Sequence, residues 1–421
     1  MRIRVGARSS PLSRVQVEEV QRECGFFFEP IFLETTGDLD QKSSLRDLDK
    51  SNFFTEQLDE MVLAGEVEIA IHSAKDLPDP LPEGLKIIAI TRGVATHDTL
   101  LMRAGETLST LKKGAKIATS TARRDEQLHK MRSDLEAVDI RGAVDKRVER
   151  LLSGEFDGLI VAEAALIRLG LSGDPRFYAL PMPGFAAPLQ GKLAIVARES
   201  RTDLEALFAP LDIRKKRCMT YVGSRAHIRT DFDGVIDHYL AICIQERTGC
   251  DFSSLQKATH LIFTSKNGAR LFLDRIERTG DRVVIAVGRA TADYLKERGC
   301  NVHFVAEKES QEGVIEVLEG LDLSSAHIFI PTSSGARPLL REFLEQNGVE
   351  HTILPLYDTL PNFDAPIPDM SCTNEFLFGS PSAFEAFLEI IGPIFGDRKI
   401  SGIGPITEYA IDEWKKLIYF S

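Results

Sequence analysis

The sequence predicts an α/β protein built from two two-lobed halves in succession. Three observations carry this reading. Short apolar strand-like runs alternate with amphipathic helical stretches from residue 3 onward; the pattern restarts near residue 99 and again after the charged linker 212–217; and two pairs of matching strand–turn–helix stretches recur in the second half. With 421 residues, 43% of them apolar, the chain has material for two or more ordinary cores.

Taken in order, residues 3–6 alternate as a strand, 11–23 follow as a helix opened by Pro11, 31–34 form a second strand, 55–64 a helix closed by Gly65, and 67–72 a third strand. Residues 37–51 are polar and aperiodic, and loops of that length usually cover a site. From 99 to 180 the pattern restarts as a second lobe, with a strand at 158–162 and a helix from 164 towards Gly170. Residues 181–188 read as a crossover back, because the apolar run 193–197 needs a sheet to join. The first half therefore spans 1–212, with lobe one at about 1–97 and 185–212 and lobe two at about 98–184. Two lobes joined by two crossovers leave a cleft between them.

The second half spans 217–421, with lobe one at about 217–247 and 359–421 and lobe two at about 248–358. Its first matching pair is Leu261-Ile-Phe-Thr-Ser and Phe376-Leu-Phe-Gly-Ser, each an apolar strand running through a hydroxyl-bearing turn into a helix. The second pair begins at Ala286 and Gly402. Ser and Thr at such strand ends either cap the helices or line an anion-binding crevice.

A net charge of −12 argues against bulk binding to nucleic acid or anionic membrane, and no apolar run of 18 residues spans a bilayer. Six cysteines (24, 218, 243, 250, 300, 372) and nine histidines are dispersed without metal-type spacing, so the expectation is a reduced, metal-free cytoplasmic protein. No targeting segment is expected ahead of the opening strand-like Met1-Arg2-Ile3.

Against that acidic background, residues 111–150 carry eleven Lys/Arg and seven Asp/Glu. The run Lys116-Ile117-Ala118 ends in Thr119-Ser120-Thr121 and passes into a helix over 122–130 that begins with Arg123 and Arg124. Such a corner offers backbone N–H groups, hydroxyls and two guanidinium forks to a carboxylate or phosphate. A second corner supplies Arg141, with Arg147 about two turns along. A solvated helix face explains the surrounding charges equally well, but two adjacent arginines cannot share one helical stripe.

The residues Arg8-Ser9-Ser10-Pro11-Leu12, Phe54, His72-Ser73-Ala74-Lys75-Asp76-Leu77-Pro78, Thr119 to Arg124, Arg141-Gly142, Arg147, the run ending in Arg168-Leu169-Gly170-Leu171, and Leu189-Gln190-Gly191 resemble hydroxymethylbilane synthase (porphobilinogen deaminase) in order and spacing over 1–212. From 217 to 421, Phe263-Thr264-Ser265, Val287-Gly288 with Thr291, Tyr357, Gly379-Ser380-Pro381-Ser382 and Gly404-Pro405 with Thr407 resemble uroporphyrinogen-III synthase. The resemblance implies a periplasmic-binding-protein-like first half and a uroporphyrinogen-III synthase-like second half. It also implies consecutive activities: four porphobilinogen molecules joined with loss of ammonia to hydroxymethylbilane, then closed with one ring inverted.

In that reading Arg8, Ser10, Ser73, Lys75, Thr119, Ser120, Thr121, Arg123, Arg124, Arg141, Arg147, Arg168 and Gln190 hold a dipyrromethane cofactor and the carboxylates of the growing chain, with Lys50 and Phe54 at the substrate. Asp76 stabilises pyrrole cations beside Lys75, although an ion pair with Lys75 is the simpler alternative. Tyr357 assists loss of the terminal hydroxyl, and Ser265, Thr291, Ser380, Ser382 and Thr407 bind side-chain carboxylates. The family's third domain, which carries the cysteine that anchors the cofactor, has no counterpart here. Ala143 and Leu189 stand where the family has Asn and Gly. Cys218, after Arg214-Lys215-Lys216-Arg217, is the candidate anchor through a lowered thiol pKa; the alternative is a buried cysteine of the first strand of the second half. Two other readings stay open: only the cyclase works, with the first half as scaffold, or the chain is a two-lobed anion-binding module.

Overall fold

Ile3, Val5 and Ala7 are fully buried while Arg2 and Arg4 are exposed, and this alternation makes β1 (Arg2–Arg8). Ser10 caps α1 (Pro11–Cys24), its hydroxyl accepting from Ser13 N, and Gly25 ends the helix in the left-handed region. The computed structural model describes residues 2–39, 53–224, 228 and 230–419. The chain continues through β2 (Phe27–Leu33), the short α2 (Thr36–Leu39), α3 (Glu56–Ala64), β3 (Ile69–Ser73) and β4 (Leu85–Ile90). It then crosses to β5 (Asp98–Arg103), β6 (Lys116–Thr119), α4 (Ala122–Met131), β7 (Glu136–Asp139), α5 (Val144–Leu152), β8 (Gly158–Ala162), α6 (Glu163–Arg168) and β9 (Phe177–Pro181). The return runs through β10 (Gly184–Phe185) to β11 (Leu193–Arg198) and α7 (Thr202–Phe208).

These strands form two five-stranded sheets, β2-β1-β3-β11-β4 and β7-β6-β8-β5-β9, on one plan. In each, three parallel strands are followed by an antiparallel strand contributed by the crossing chain, β11 in one lobe and β5 in the other. The carboxyl ends of β1, β3, β6 and β8 all come to one interlobe cleft, as expected where parallel strands diverge at a switch point.

Some boundaries differ from the sequence reading. The strand expected at 67–72 starts at Ile69, because Glu66 and Val67 donate back to Met61 O and close α3. The loop expected at 37–51 begins inside α2, and its remainder, including Lys50, lies outside the described residues.

Beyond α7 come β12 (Cys218–Val222) and β13 (Val235–Tyr239). Next follow β14 (Ile242–Glu246), β15 (His260–Phe263), α8 (Lys266–Leu273), β16 (Val283–Ala286), α9 (Arg289–Glu297), β17 (Phe304–Val305), α10 (Gln311–Glu319), β18 (His327–Ser333), α11 (Leu339–Gln346) and β19 (Glu350–Pro361). The chain closes with β20 (Pro366–Ile367), β21 (Glu375–Phe378), α12 (Pro381–Ile390), β22 (Lys399–Gly402) and α13 (Pro405–Tyr419). Ile242–Pro361 is one compact unit, a six-stranded sheet β14-β19-β18-β15-β16-β17 with apolar clusters around Phe263, Phe272 and Phe329 and around Ile262, Ile285 and Ile328. The other unit holds everything before and after it, so the parallel sheet β13-β12-β21-β22 shares a unit with the two N-terminal lobes.

The seam inside that larger unit is specific. Ile90 and Ile213 bury against Cys218 and Val235, with Leu189 and Cys372 packed on them. β10 pairs with β20, Gly184 opposite Pro366. No helix among the described residues is long and apolar enough to cross a membrane.

Gly191 has φ 82°, and a Cβ there would meet Ala95 O at 1.9 Å. Gly191→Ala is therefore expected to remove about 2 kcal/mol or more of stability, left-handed strain added to backbone overlap. A thermal unfolding midpoint equal to wild type would contradict this.

Candidate active site

Two adjacent guanidinium groups can enter a protein wall only if an anion meets them, and here it is Asp98 at the start of β5. Its carboxylate accepts Arg123 Nη2 at 2.5 Å and Arg124 Nη2 at 2.6 Å, and its side chain is 1% exposed. Burial alone would raise the Asp98 pKa, but Arg124 and Arg123 hold it well below the carboxylate range. Gln190 Nε2 donates to the same carboxylate at 3.0 Å, and Gln190 Oε1 accepts from Lys75 Nζ at 3.1 Å. Burial and the nearby Arg124 lower the Lys75 pKa.

The cleft in front of this wall has a volume of about 290 Å³. Lobe one brings Arg8, Ser10, Ser73, Lys75, Asp76 and Phe54; lobe two brings Ser120, Thr121, Arg124, Arg141, Arg147 and Arg168. Thr119, Arg123 and Gln190 stand behind the lining. Thr119 and Gln190 are fully buried, and Arg123 turns to Asp98, Gln127 Oε1 and Phe185 O.

The lining arginines divide by partner. Arg8 pairs with Asp38, whose pKa it lowers against the upward push of burial, and stacks 4.4 Å from the Phe54 ring. Arg168 makes two bonds to Glu19 at 2.7 and 2.8 Å and a third to Gly191 O. Arg141 donates to Gly37 O at 3.0 Å across the cleft. Arg147 has no carboxylate partner among the described residues; it donates to Gly142 O at 2.7 Å and Ser120 Oγ at 3.3 Å. Burial, with Arg124 and Arg141 close by, pushes its pKa down to about 10. Beside it Thr119 Oγ1, Thr121 Oγ1 and Arg124 Nε are buried without a hydrogen-bond partner among the described residues. Surplus cation and unused polar atoms together describe a receptor for carboxylates.

Asp76 follows β3 on a single 3-10 turn, and makes no ion pair or side-chain hydrogen bond among the described residues. Its neighbour Lys75 is turned to Gln190, so the simple Lys75–Asp76 pair is not formed. Ser73 Oγ accepts from Gln16 at 3.0 Å, which fixes the strand end before this turn. Behind it Asp59 and His72 are buried 3.9 Å apart; burial raises Asp59 to about 6 and lowers His72 to about 4.

Cys218 corrects the expectation of an activated thiol. It is 2% exposed in β12, between β13 and β21, and is not among the cleft-lining residues. Burial, with Cys372 and Asp237 nearby, pushes its pKa up. The basic run that was expected to lower it pairs elsewhere, Arg214 with Asp212, Lys215 with Glu205 and Arg217 with Glu375.

In the unit Ile242–Pro361, Ser265 caps α8 through Gly268 N and meets Tyr357 Oη at 2.9 Å. Tyr357 is 5% exposed, and burial pushes its phenol up. Thr291 is buried in the first turn of α9. In the other unit Ser380 caps α12 through Ala383 N, Ser382 lies in that helix's first turn, and Thr407 is buried in the first turn of α13.

Sequence reasoning missed Asp98, Asp38 and Glu19, the carboxylates that hold the arginines. Glu19 left a signal: with Gln16 it places polar residues on the helix face that Val17 and Val20 share with the core. Asp98 left none, being a single acid at a strand start.

A family model described as porphobilinogen deaminase, dipyromethane cofactor binding domain, matches residues 3–206, and one described as uroporphyrinogen-III synthase HemD matches 244–416. A probable porphobilinogen deaminase of Pyrobaculum neutrophilum is 40% identical over 244 residues, covering 54% of this chain and 82% of the relative. The porphobilinogen deaminase of Nitratidesulfovibrio vulgaris (strain DP4) is 32% identical over 295 residues, covering 70% of this chain and 86% of the relative. Among solved structures, uroporphyrinogen-III synthetase from Helicobacter pylori matches with 17% identity and a TM-score of 0.35, covering 47% of this chain and 89% of that one. The chain belongs to the porphobilinogen deaminase family and carries a uroporphyrinogen-III synthase segment behind it, which makes it a bifunctional enzyme of tetrapyrrole biosynthesis.

Proposed function

We propose that the interlobe cleft condenses porphobilinogen into hydroxymethylbilane and that the synthase segment closes the product to uroporphyrinogen III, with the residue roles below. The observation that carries the cleft assignment is Arg147, a buried cation crowded by Arg124 and Arg141 that bonds to no carboxylate among the described residues. Substrates bearing acetate and propionate groups supply what this wall lacks.

The residues fit a polycarboxylate primer. Arg124, Arg141 and Arg147, with Ser120 and Thr121, would hold the carboxylates of dipyrromethane. When bound, that cofactor supplies the pyrrole end onto which the first substrate is joined. Asp76 accepts pyrrole N–H groups and opposes the positive charge that builds as ammonia leaves. Lys75 is held by Gln190 in a wall crowded with guanidinium groups, which eases release of its proton. Arg8 holds Phe54, which closes the cleft over the incoming ring. In the synthase segment Tyr357, kept protonated by burial and bonded to Ser265, donates to the departing terminal hydroxyl. Ser380, Ser382, Thr291 and Thr407 are assigned to substrate carboxylates. The net charge of −12 supports small-molecule substrates rather than nucleic acid, and dispersed free cysteines support a cytoplasmic setting.

Incubating the purified chain with porphobilinogen, oxidising and identifying the uroporphyrin isomer reads both activities; isomer III is expected. Asp76→Asn is expected to lower porphobilinogen consumption more than tenfold, a loss above about 1.4 kcal/mol, at an unchanged unfolding midpoint. Turnover above a tenth of wild type would remove Asp76 from the reaction. Arg147→Leu is expected to stall the enzyme-bound mass ladder at shorter chains, and a ladder identical to wild type would return Arg147 to a structural role. Because the Cys218 thiol is buried, Cys218→Ser is expected to retain the dipyrromethane mass increment of the wild-type chain; its loss would make Cys218 the anchor after all.

A further inference from the structure

The turn 187–192 closes the back of the deaminase cleft, and its backbone is unusual. Leu189 has φ 60°, in a region that non-glycine residues rarely occupy, and Gly191 has φ 82°. A leucine there carries strain of about 1–2 kcal/mol, so something outside the turn must hold it. Two internal bonds, Gln190 N to Ala187 O and Lys192 N to Leu189 O, tighten the loop without fixing it to a neighbour.

Ala74 N donates to Lys192 O at 3.0 Å and Gln190 Nε2 donates to Thr96 O at 3.2 Å, but the neighbour that bonds to Leu189 itself is Asp369, in the connection between β20 and β21. Its Oδ2 accepts from Leu189 N at 3.1 Å and from Lys192 Nζ at 2.7 Å, while Oδ1 accepts from Ser371 N at 3.0 Å. The Lys192 and Asp369 side chains are 4% and 10% exposed. A buried lysine deprived of its paired carboxylate is strongly destabilised. The same turn points its other groups at the cleft. Gln190 joins Lys75 to Asp98, and Gly191 O accepts from Arg168 at 2.8 Å.

We propose that Asp369, contributed by the C-terminal segment, is a positioning residue for the deaminase reaction: its carboxylate holds the 187–192 turn so that Gln190 and the Gly191 carbonyl present Lys75 and Arg168 to the cleft. The inference rests on the interlobe cleft being the deaminase site. It makes part of the synthase segment a working component of the other activity.

The test uses the full chain in two assays, porphobilinogen consumption and cyclisation of supplied hydroxymethylbilane to isomer III. Asp369→Ala and Asp369→Asn are expected to lower porphobilinogen turnover at least tenfold and to leave cyclisation within twofold of wild type. Asp369→Glu, which restores a carboxylate, is expected to recover turnover to within threefold. Should Asp369→Ala fail to fold, the double variant Lys192→Met/Asp369→Asn, which removes both charges, is expected to fold and still show the tenfold loss. Arg147→Leu serves as the cleft control. If Arg147→Leu disables consumption while Asp369→Ala stays within twofold, the positioning role is overturned. If Arg147→Leu is also fully active, the cleft assignment itself fails. Equal loss of both activities without recovery in Asp369→Glu would reduce Asp369 to general structural support and overturn the proposal.

Discussion

The interlobe cleft depends on one buried carboxylate. Asp98 carries a single negative charge against Arg123 and Arg124, and through Gln190 it is linked to Lys75. That is enough to let the cations fold into the wall, and too little to neutralise them. Removing such a partner from a buried cluster typically costs 3–5 kcal/mol. The residual positive charge is what the wall offers to ligands. Asp98 opens β5, where the chain first crosses between lobes, and Gln190 lies where it crosses back, so this network also ties the two crossings together.

The lobes repeat one plan, and the repeat explains how the cleft is furnished from both sides. In each, two of the three parallel strands deliver their carboxyl ends to the same crevice, and the turns that follow them carry its polar groups. From lobe one these include Ser73 to Asp76, from lobe two Thr119 to Arg124. Arg168 on Glu19 and Arg141 on Gly37 O join the two sides directly. The cleft's polar groups are therefore fixed to strand ends rather than to free loops, which favours a constant geometry for a bound ligand.

Alternation in β1, the start of α1 at Pro11 and the Thr-Ser-Thr corner were legible in the sequence because each is a local pattern with a local cause. The cleft arginines were legible as residue types at familiar spacing. Their partners were not. Glu19 and Arg168 are 149 positions apart and Asp369 and Lys192 177 apart, and no periodicity encodes such pairs. Cys218 shows the opposite failure. The adjacent basic run suggested an activated thiol, but adjacency along a strand says little about what surrounds a side chain, and Arg214, Lys215 and Arg217 pair with other carboxylates. Leu189 was visible as a departure from pattern, yet its left-handed backbone and its packing on Ile90, Ile213 and Val235 emerge only in three dimensions.

The insertion of Ile242–Pro361 between β13 and β21 bears on how the chain assembles. Asn362 N donates to Ala241 O at 2.8 Å, and Ile242 lies opposite Pro361 in the next pair, so the inserted unit begins and ends at one point. Its sheet is otherwise built from its own segments. Once it folds, the two flanking chain ends are already side by side, and the long loop that β12 and β21 would have to close shrinks to a short one. Loop-closure entropy then opposes the pairing of that central sheet far less. An inserted domain of this kind acts as a folding clamp for the sheet it interrupts.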